Sequence, residues 1–289
     1  MELARLDTIL NDAVKNHYAV GAFNIINLET LKAVVNAAEA ERSPVIIQIW
    51  HGDLFHAGVN FVSAIAREAA KLSTVPIVLQ LDHGQSLEQA MVCIECGFPS
   101  IMIDFSLLEF SENIKMTKKV VEEAHLRGVT VEAELGKIYG GDDPVVVQTS
   151  SLTDPDLAKK FVEETGIDAL AVSIGTAHGF YSTKPDIRFS LLERLIKTLP
   201  VPVVVHGGSD IPDEKIIKMV ELGIAKLNVG TDLMTAFMNG LKEKLVENKK
   251  NVIRDVLSYA QKKVEETAIK YIKLLNTSRI ESLKRSKTF

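Results

Sequence analysis

Short apolar, β-branched runs alternate along this chain with longer stretches whose apolar positions recur every three or four residues, the rhythm of strand and amphipathic helix in repeated βα units. The runs fall at 18–25 (YAVGAFNI), 44–50 (PVIIQIW), 76–82 (PIVLQLD), 100–105 (SIMIDF), 130–135 (TVEAEL), 169–175 (ALAVSIG), 202–206 (PVVVH) and 225–230 (AKLNVG). Helical patterns fill the gaps, and several stop at a glycine: Gly97, Gly128, Gly166 and Gly223. Eight strands with intervening helices predict an α/β fold, the (β/α)8 TIM barrel, which occupies about 250 residues. The barrel is expected over about 18–232. A leading helix (LARLDTILNDAVKN) precedes it, and a C-terminal helical extension over about 233–289 carries two long helical patterns that end near 275. An open doubly wound sheet is the alternative, but NIINLET after the first strand is not a glycine-rich dinucleotide turn. No linker or shift of composition divides the chain, so 1–289 reads as a single domain.

Composition acts mainly by exclusion. With 289 residues, 46% of them hydrophobic and 25% charged, the chain has an ordinary globular make-up and ample length for a buried core. A formal net charge of −5, with no basic block except the tail residues Lys284, Arg285 and Lys287, lacks the footprint of a nucleic-acid binder. No apolar run approaches the roughly 18 residues that cross a bilayer, and MELARLDTIL has neither the basic start nor the apolar centre of a signal peptide. The expected location is therefore cytoplasmic, with no membrane partner. Cys93 and Cys96 form a C-x-x-C on a helical pattern, where i and i+3 supply two ligands at most, so buried thiols are the simpler expectation.

In a barrel the functional face lies at the C-terminal ends of the strands. Polar residues crowd that rim: Asp82 and His83 end strand three, Asp104 ends strand four, and Glu132 and Glu134 lie on strand five. His178 follows strand six, His206 ends strand seven, and Asn228 and Asp232 flank the end of strand eight. A lone histidine is ordinarily a surface or packing residue. Three from three strand ends can converge on one divalent ion, and neutral imidazoles suit zinc with a position left open for substrate. Adjacent strand residues point opposite ways, so Asp82 need not join His83 as a ligand and is free to move protons. Glu132 and Glu134 share a strand face, and one of them can serve only a cation partner. Gly179, Gly207, Gly208 and Gly230 sit where backbone N–H groups can approach an anion, although a plain turn also explains the Gly207-Gly208 pair. His17 and His125, on helical stretches, read as solvated.

The ordered motifs LDHG, MIDFS, VEAELG, GTAHG, HGGSD and NVGTD resemble those of the class II, metal-dependent ketose-bisphosphate aldolases, the family of fructose- and tagatose-bisphosphate aldolases. The resemblance runs from AVGAFNI to at least residue 232. It implies that His83, His178 and His206 bind catalytic Zn2+, that Asp82 is the acid/base, and that Asp104 and Glu134 serve an auxiliary cation or an alternative zinc position. It assigns Gly179, Gly207, Gly208, Ser209, Asn228, Val229, Gly230 and Thr231 to the dihydroxyacetone phosphate half of a phosphosugar, with a monovalent cation (Na+ or K+) nearby, and implies a homodimer or homotetramer. Cleaving C3–C4 of a ketose phosphate leaves an enediolate whose charge zinc can stabilise as a Lewis acid. A Schiff-base route would instead use a lysine inside the barrel, and strand six has none.

Departures from the family pattern bear on substrate. Members commonly carry a small hydroxyl residue after strand two, where this chain has Trp50 and His51 in IWHGDLFH. GGDDP after strand five offers Asp142 and Asp143 in a loop where a lid is expected. Gly230 replaces the acid of fructose-type members and tilts the expectation toward tagatose 1,6-bisphosphate or a related ketose phosphate. Arg254 and Arg279 are candidates for a distal phosphate or a neighbouring subunit. The alternatives are a non-catalytic phosphosugar- or metal-binding relative, or another metal-dependent barrel enzyme such as a hydrolase, though no H-x-H pair closes the first strand.

Overall fold

The computed structural model describes residues 1–138, 152–181, 185–247 and 252–276. Eight parallel strands close into a barrel in sequence order. They are β1 (Val20–Asn24), β2 (Val45–Trp50), β3 (Ile77–Gly84), β4 (Ser100–Ile103), β5 (Thr130–Leu135), β6 (Ala169–Val172), β7 (Val203–Val205) and β8 (Lys226–Val229). The described helices before β8 are α1 (Leu6–Lys15), α2 (Leu28–Glu41), α3 (Leu54–Ala57), α4 (Val59–Leu72), α5 (Leu87–Glu95), α6 (Phe110–His125), α7 (Pro155–Thr165), α8 (Phe189–Thr198) and α9 (Asp213–Leu222). Two more, α10 (Thr231–Glu247) and α11 (Ile253–Leu275), follow β8 as the two long helical patterns after strand eight predicted. The barrel is thus the expected one, with strands mostly a residue or more shorter than their apolar runs. The exceptions are β5, which matches its run, and β3, which continues through His83 and Gly84.

Period-two alternation divides the strands between two cores. Outward residues such as Phe23, Ile47, Ile49, Leu79, Leu81, Ile101, Val131 and Leu227 are buried under the helices. Inward residues Val20, Ala22, Ile46, Val78, Ala169, Ala171 and Val204 meet Leu6, Ile9, Leu10 and Ala13 of α1, which closes the N-terminal end with an apolar floor. Above that floor the same inward parity becomes polar: Asn24, Gln48, Gln80, Asp82, Glu132, Glu134, Lys226 and Asn228. Burying so many polar groups is costly unless they pair with one another, and their pairing shapes the site.

The C-terminal helices brace the mouth. Tyr271 of α11 donates its hydroxyl to the Asp232 carboxylate and lies 3.3 Å from the Gly208 carbonyl, tying the loop after β7 to the start of α10. Asp232 is therefore a strut rather than a rim ligand. Cys93 is buried and Cys96 half-buried, both unbridged, and burial pushes the Cys93 thiol up to about 12, as suits a packing residue. His17 is exposed, while the exposed His125 bonds Asp168 at 2.9 Å. Among the described residues no helix is long and apolar enough to cross a membrane.

Candidate metal centre and active site

Asp82 points into the barrel by parity, and strict alternation would turn His83 outward. It does not. His83 adopts a left-handed backbone, φ 51°, where the β3–β4 register shifts between Leu81 and Gly84. This irregularity re-aims the ring to the mouth, as bulges beside active sites do. His83 Nε2 consequently lies 3.9 Å from Asp82 Oδ1, so the expectation that the two side chains face apart is corrected. The conformation costs a non-glycine residue roughly 1–2 kcal/mol.

His206, one residue beyond β7, presents Nδ1 3.0 Å from His83 Nε2 and 3.5 Å from Glu134 Oε2. The His178 ring, from the loop after β6, has its centroid 4.9 Å from that of His83 and 6.0 Å from that of His206. One ligand atom from each of His83, Glu134, His178 and His206 lies within 4.8 Å of the others. Donors about 2.0–2.1 Å from a tetrahedral zinc stand roughly 3.3 Å apart, close to the two shorter separations here. Among the described residues neither buried Glu134 carboxylate oxygen makes a hydrogen bond of ordinary geometry, an arrangement that a cation would relieve. Burial, then the neighbouring Asp104, pushes the Glu134 carboxyl well above its usual range.

The imidazoles fit the same ion. Burial, then the nearby His83 and His206, holds His178 down to about 3, and burial also lowers His206, so both offer neutral lone pairs. For His83, burial is outweighed by Asp82, Asp104 and Glu134, which lift it to about 10 and mark the acidic surround in which a cation is welcome. Asp104 stands apart from the group of four ligand atoms: its Oδ2 lies 2.7 Å from His83 Nδ1 and holds the ring from behind.

Asp82 is 5% exposed, and both its oxygens are engaged. Asn24 Nδ2 donates to Oδ2 at 2.8 Å, and Asn228 Nδ2 to Oδ1 at 3.2 Å. Gln48 Nε2 in turn donates to Asn24 Oδ1 at 2.8 Å and so fixes which way that amide faces. Burial would raise the Asp82 carboxyl, but His83, His206 and Lys226 together hold it below its ordinary value. Asn24 and Gln48 were not anticipated from sequence; their inward parity beside Asp82 on neighbouring strands was the available signal.

Beside this centre Gly179, Gly207, Gly208, Ser209, Gly230 and Thr231 line the cavity where α10 begins. Val229 is fully buried, with its side chain in the outer core. Gly207 takes φ 69°, and a Cβ there would stand 2.2 Å from the Ala177 carbonyl oxygen. Tyr181 clamps the same junction, accepting from Ala177 N at 2.8 Å and donating to Gly207 O at 3.0 Å. A rigid glycine loop at the start of a 17-residue helix is chemistry suited to a phosphate.

A family model for class II fructose-bisphosphate aldolase matches residues 4–279. The chain belongs to that family. Among solved structures, the YdjI aldolase from Escherichia coli K12 is 38% identical with a TM-score of 0.86, the match covering 96% of this chain and 98% of that one. A putative fructose-1,6-bisphosphate aldolase from Coccidioides immitis is 29% identical with a TM-score of 0.84, again over 96% and 98%. The fructose-bisphosphate aldolase from Campylobacter jejuni, 23% identical over 95% and 96% of the chains with a TM-score of 0.80, shares the fold.

In this class II aldolase the cavity above the centre has a volume of about 830 Å³. Trp50 and His51 both line it, with ring centroids 4.7 Å apart and edge-on, so Trp50 does not pack outward. The His51 backbone N–H donates to the Asp82 carbonyl at 2.9 Å, tying the loop after β2 to the strand that carries Asp82. Burial, then the charge of His83, lowers the His51 imidazole and keeps it neutral near pH 7. Among the described lining residues Lys242 is the one lysine or arginine, and Asp53, Asp82 and Asp104 are the acids that line the same cavity. Arg254 is exposed and bonds Asp255 rather than entering the cavity. Asp142, Asp143, Arg279 and the basic tail lie outside the described residues.

Proposed function

We propose that this chain is a zinc-dependent aldolase that reversibly cleaves a ketose phosphate to dihydroxyacetone phosphate and an aldehyde, with tagatose 1,6-bisphosphate and then fructose 1,6-bisphosphate as the first substrates to test. The observation that carries the reading is the meeting of three imidazoles and the buried carboxylate of Glu134 beside Asp82. His83, His178 and His206 would hold zinc, with Glu134 as an additional or alternative ligand. Zinc, when bound, supplies a Lewis acid for the negative charge that develops as C3–C4 breaks. Asp82 takes the C4 hydroxyl proton during cleavage and returns one during condensation. Asn24 and Asn228 hold its carboxylate toward the mouth, while the loops carrying Gly179, Gly207, Gly208, Ser209, Gly230 and Thr231 receive the phosphate of the dihydroxyacetone half. Gly230 leaves room for Asn24, whose Oδ1 would lie 2.9 Å from an added Cβ, and a larger acidic side chain would crowd it. That small residue favours the tagatose substrate over the fructose one.

The test is cleavage of the two bisphosphates side by side, with ketose monophosphates as controls, before and after chelation. Turnover should vanish on metal stripping and return with Zn2+. Full activity in the stripped protein would remove the mechanism, and zinc binding without turnover on any of these ketoses would favour the non-catalytic alternative.

A further inference from the structure

Three polar residues below the mouth, Glu132, Lys226 and Gln80, have no part in the chemistry above, and their geometry reaches the candidate metal centre through His206. Glu132, Lys226, Gln80 and His206 are all fully buried within the barrel. Lys226 Nζ lies 2.9 Å from Glu132 Oε2 and 3.0 Å from Oε1, and Gln80 Nε2 donates to Oε2 at 3.0 Å. The third partner of this carboxylate is His206, whose Nε2 lies 2.8 Å from Oε1. Glu132 is thus not a rim acid; one of the two strand-five glutamates does serve a cation, as the sequence allowed.

We infer that Glu132, braced by Lys226 and Gln80, is a positioning residue that fixes the tautomer of His206 and leaves Nδ1 free for the ion, an inference that rests on His206 being a ligand. A lysine ammonium and the Gln80 amide N–H can only donate, so the carboxylate between them acts as an acceptor. The remaining partner must then donate, which places the His206 proton on Nε2. The Nδ1 lone pair is left facing His83 and Glu134, the side where the other ligand atoms converge. A carboxylate behind a ligating histidine orients the ring and raises its basicity. The arrangement also explains why a lysine is buried inside this barrel without acting as a nucleophile: both oxygens of Glu132 hold its ammonium.

Glu132→Gln separates this role from simple packing, because it preserves volume and reverses one hydrogen bond. Lys226 and Gln80 would claim the amide oxygen, so the new NH2 would face His206 Nε2 and drive the ring proton onto Nδ1. Full-length protein labelled with 15N-histidine should show His206 protonated at Nε2 in the metal-stripped wild type and at Nδ1 in E132Q. Zinc affinity, measured by competition with a chromophoric chelator, should fall about 10–100-fold in E132Q. Because the buried Lys226 loses its counter-ion, the melting temperature of the stripped protein should fall as well, which leaves the tautomer as the readout that packing does not move. Glu132→Asp, which keeps an acceptor, should retain the wild-type tautomer and bind zinc more tightly than E132Q. Equal zinc affinity in wild type and E132Q would overturn the inference. If the glutamate variants do not fold, the wild-type spectrum still decides: a proton on Nδ1 overturns it and one on Nε2 supports it. A wild type that binds no zinc would instead remove the reading of His206 as a ligand.

Discussion

His83 Nδ1 sits 2.7 Å from Asp104 Oδ2, while its Nε2 lies 3.0 Å from His206 Nδ1. One nitrogen is held and the other is presented. Under the proposed function Asp104 would contribute to metal binding through His83, as a hydrogen-bonded carboxylate behind a ligand. Asp104→Ala should weaken zinc binding by about 10–100-fold without abolishing it, and Asp104→Asn should retain part of the affinity. Competition with a chromophoric chelator measures both. Unchanged affinity would show that the ring needs no such brace.

Asp82 calls for the opposite pattern. Its oxygens accept from Asn24 and Asn228, and it is not one of the four grouped ligand residues. Asp82→Ala should therefore leave zinc bound while kcat falls by about 10²–10⁴, the usual cost of a lost acid/base. Metal content and turnover measured on one preparation separate the two effects, and an unaltered kcat would exclude the role. Gln48→Ala acts one step further out. It removes the hydrogen bond that orients Asn24, worth about 1 kcal/mol, so kcat should drop about fivefold with zinc content unchanged.

These two pairs show what the sequence revealed and what it concealed. The eight strands were legible because each is an apolar run with inward and outward parity, and the rim histidines because they end those runs. Parity failed at His83, where one left-handed residue lets two neighbouring side chains share the mouth; no pattern in LDHG announces a positive φ on a histidine. Asn24 and Gln48 looked like ordinary strand residues, since their role arises from the β1–β2–β3 register rather than from any motif. Lys226 was hidden for a related reason: it meets Glu132 across the barrel, a contact between strands five and eight that neither segment states. The longer-range the pairing, the less the local residue type reveals it.

Gly207 offers a test of the proposed phosphate loop, read together with metal content because His206 and His178 flank the two clashing residues. Its φ of 69° lies in the left-handed region, and an added Cβ would stand 2.2 Å from backbone oxygen at Ala177. A backbone clash cannot be relieved by rotating a side chain, so the loop after β7 must move. Strain of this kind costs about 1–3 kcal/mol. Gly207→Ala should lower the melting temperature and weaken binding of inorganic phosphate, with zinc stoichiometry measured on the same preparation so that loss of phosphate binding in zinc-replete protein is read as the loop's own effect. Normal phosphate binding in a variant with a lowered melting temperature would show that the loop is structural only.

Trp50 and His51 line the cavity where the proposed reaction would place the aldehyde half of the substrate. Under the proposed function the phosphate loop receives the dihydroxyacetone half and Asp82 works at C4, where the aldehyde half begins, whereas the indole stands 44% exposed at the mouth with its edge against His51. An aromatic face there would contact whatever extends beyond C4 in the proposed substrate, and burying part of it against an aldehyde is worth about 1–3 kcal/mol. Trp50→Ala should therefore raise KM for the aldehyde in the condensation direction about tenfold, leaving KM for dihydroxyacetone phosphate close to wild type. His51→Asn, which keeps a neutral donor on a shorter side chain, should have a smaller effect of the same kind. Steady-state kinetics with each substrate varied in turn distinguishes the halves. If KM for dihydroxyacetone phosphate rises as much as that for the aldehyde, the indole is shaping the whole mouth and the choice of aldehyde is made elsewhere.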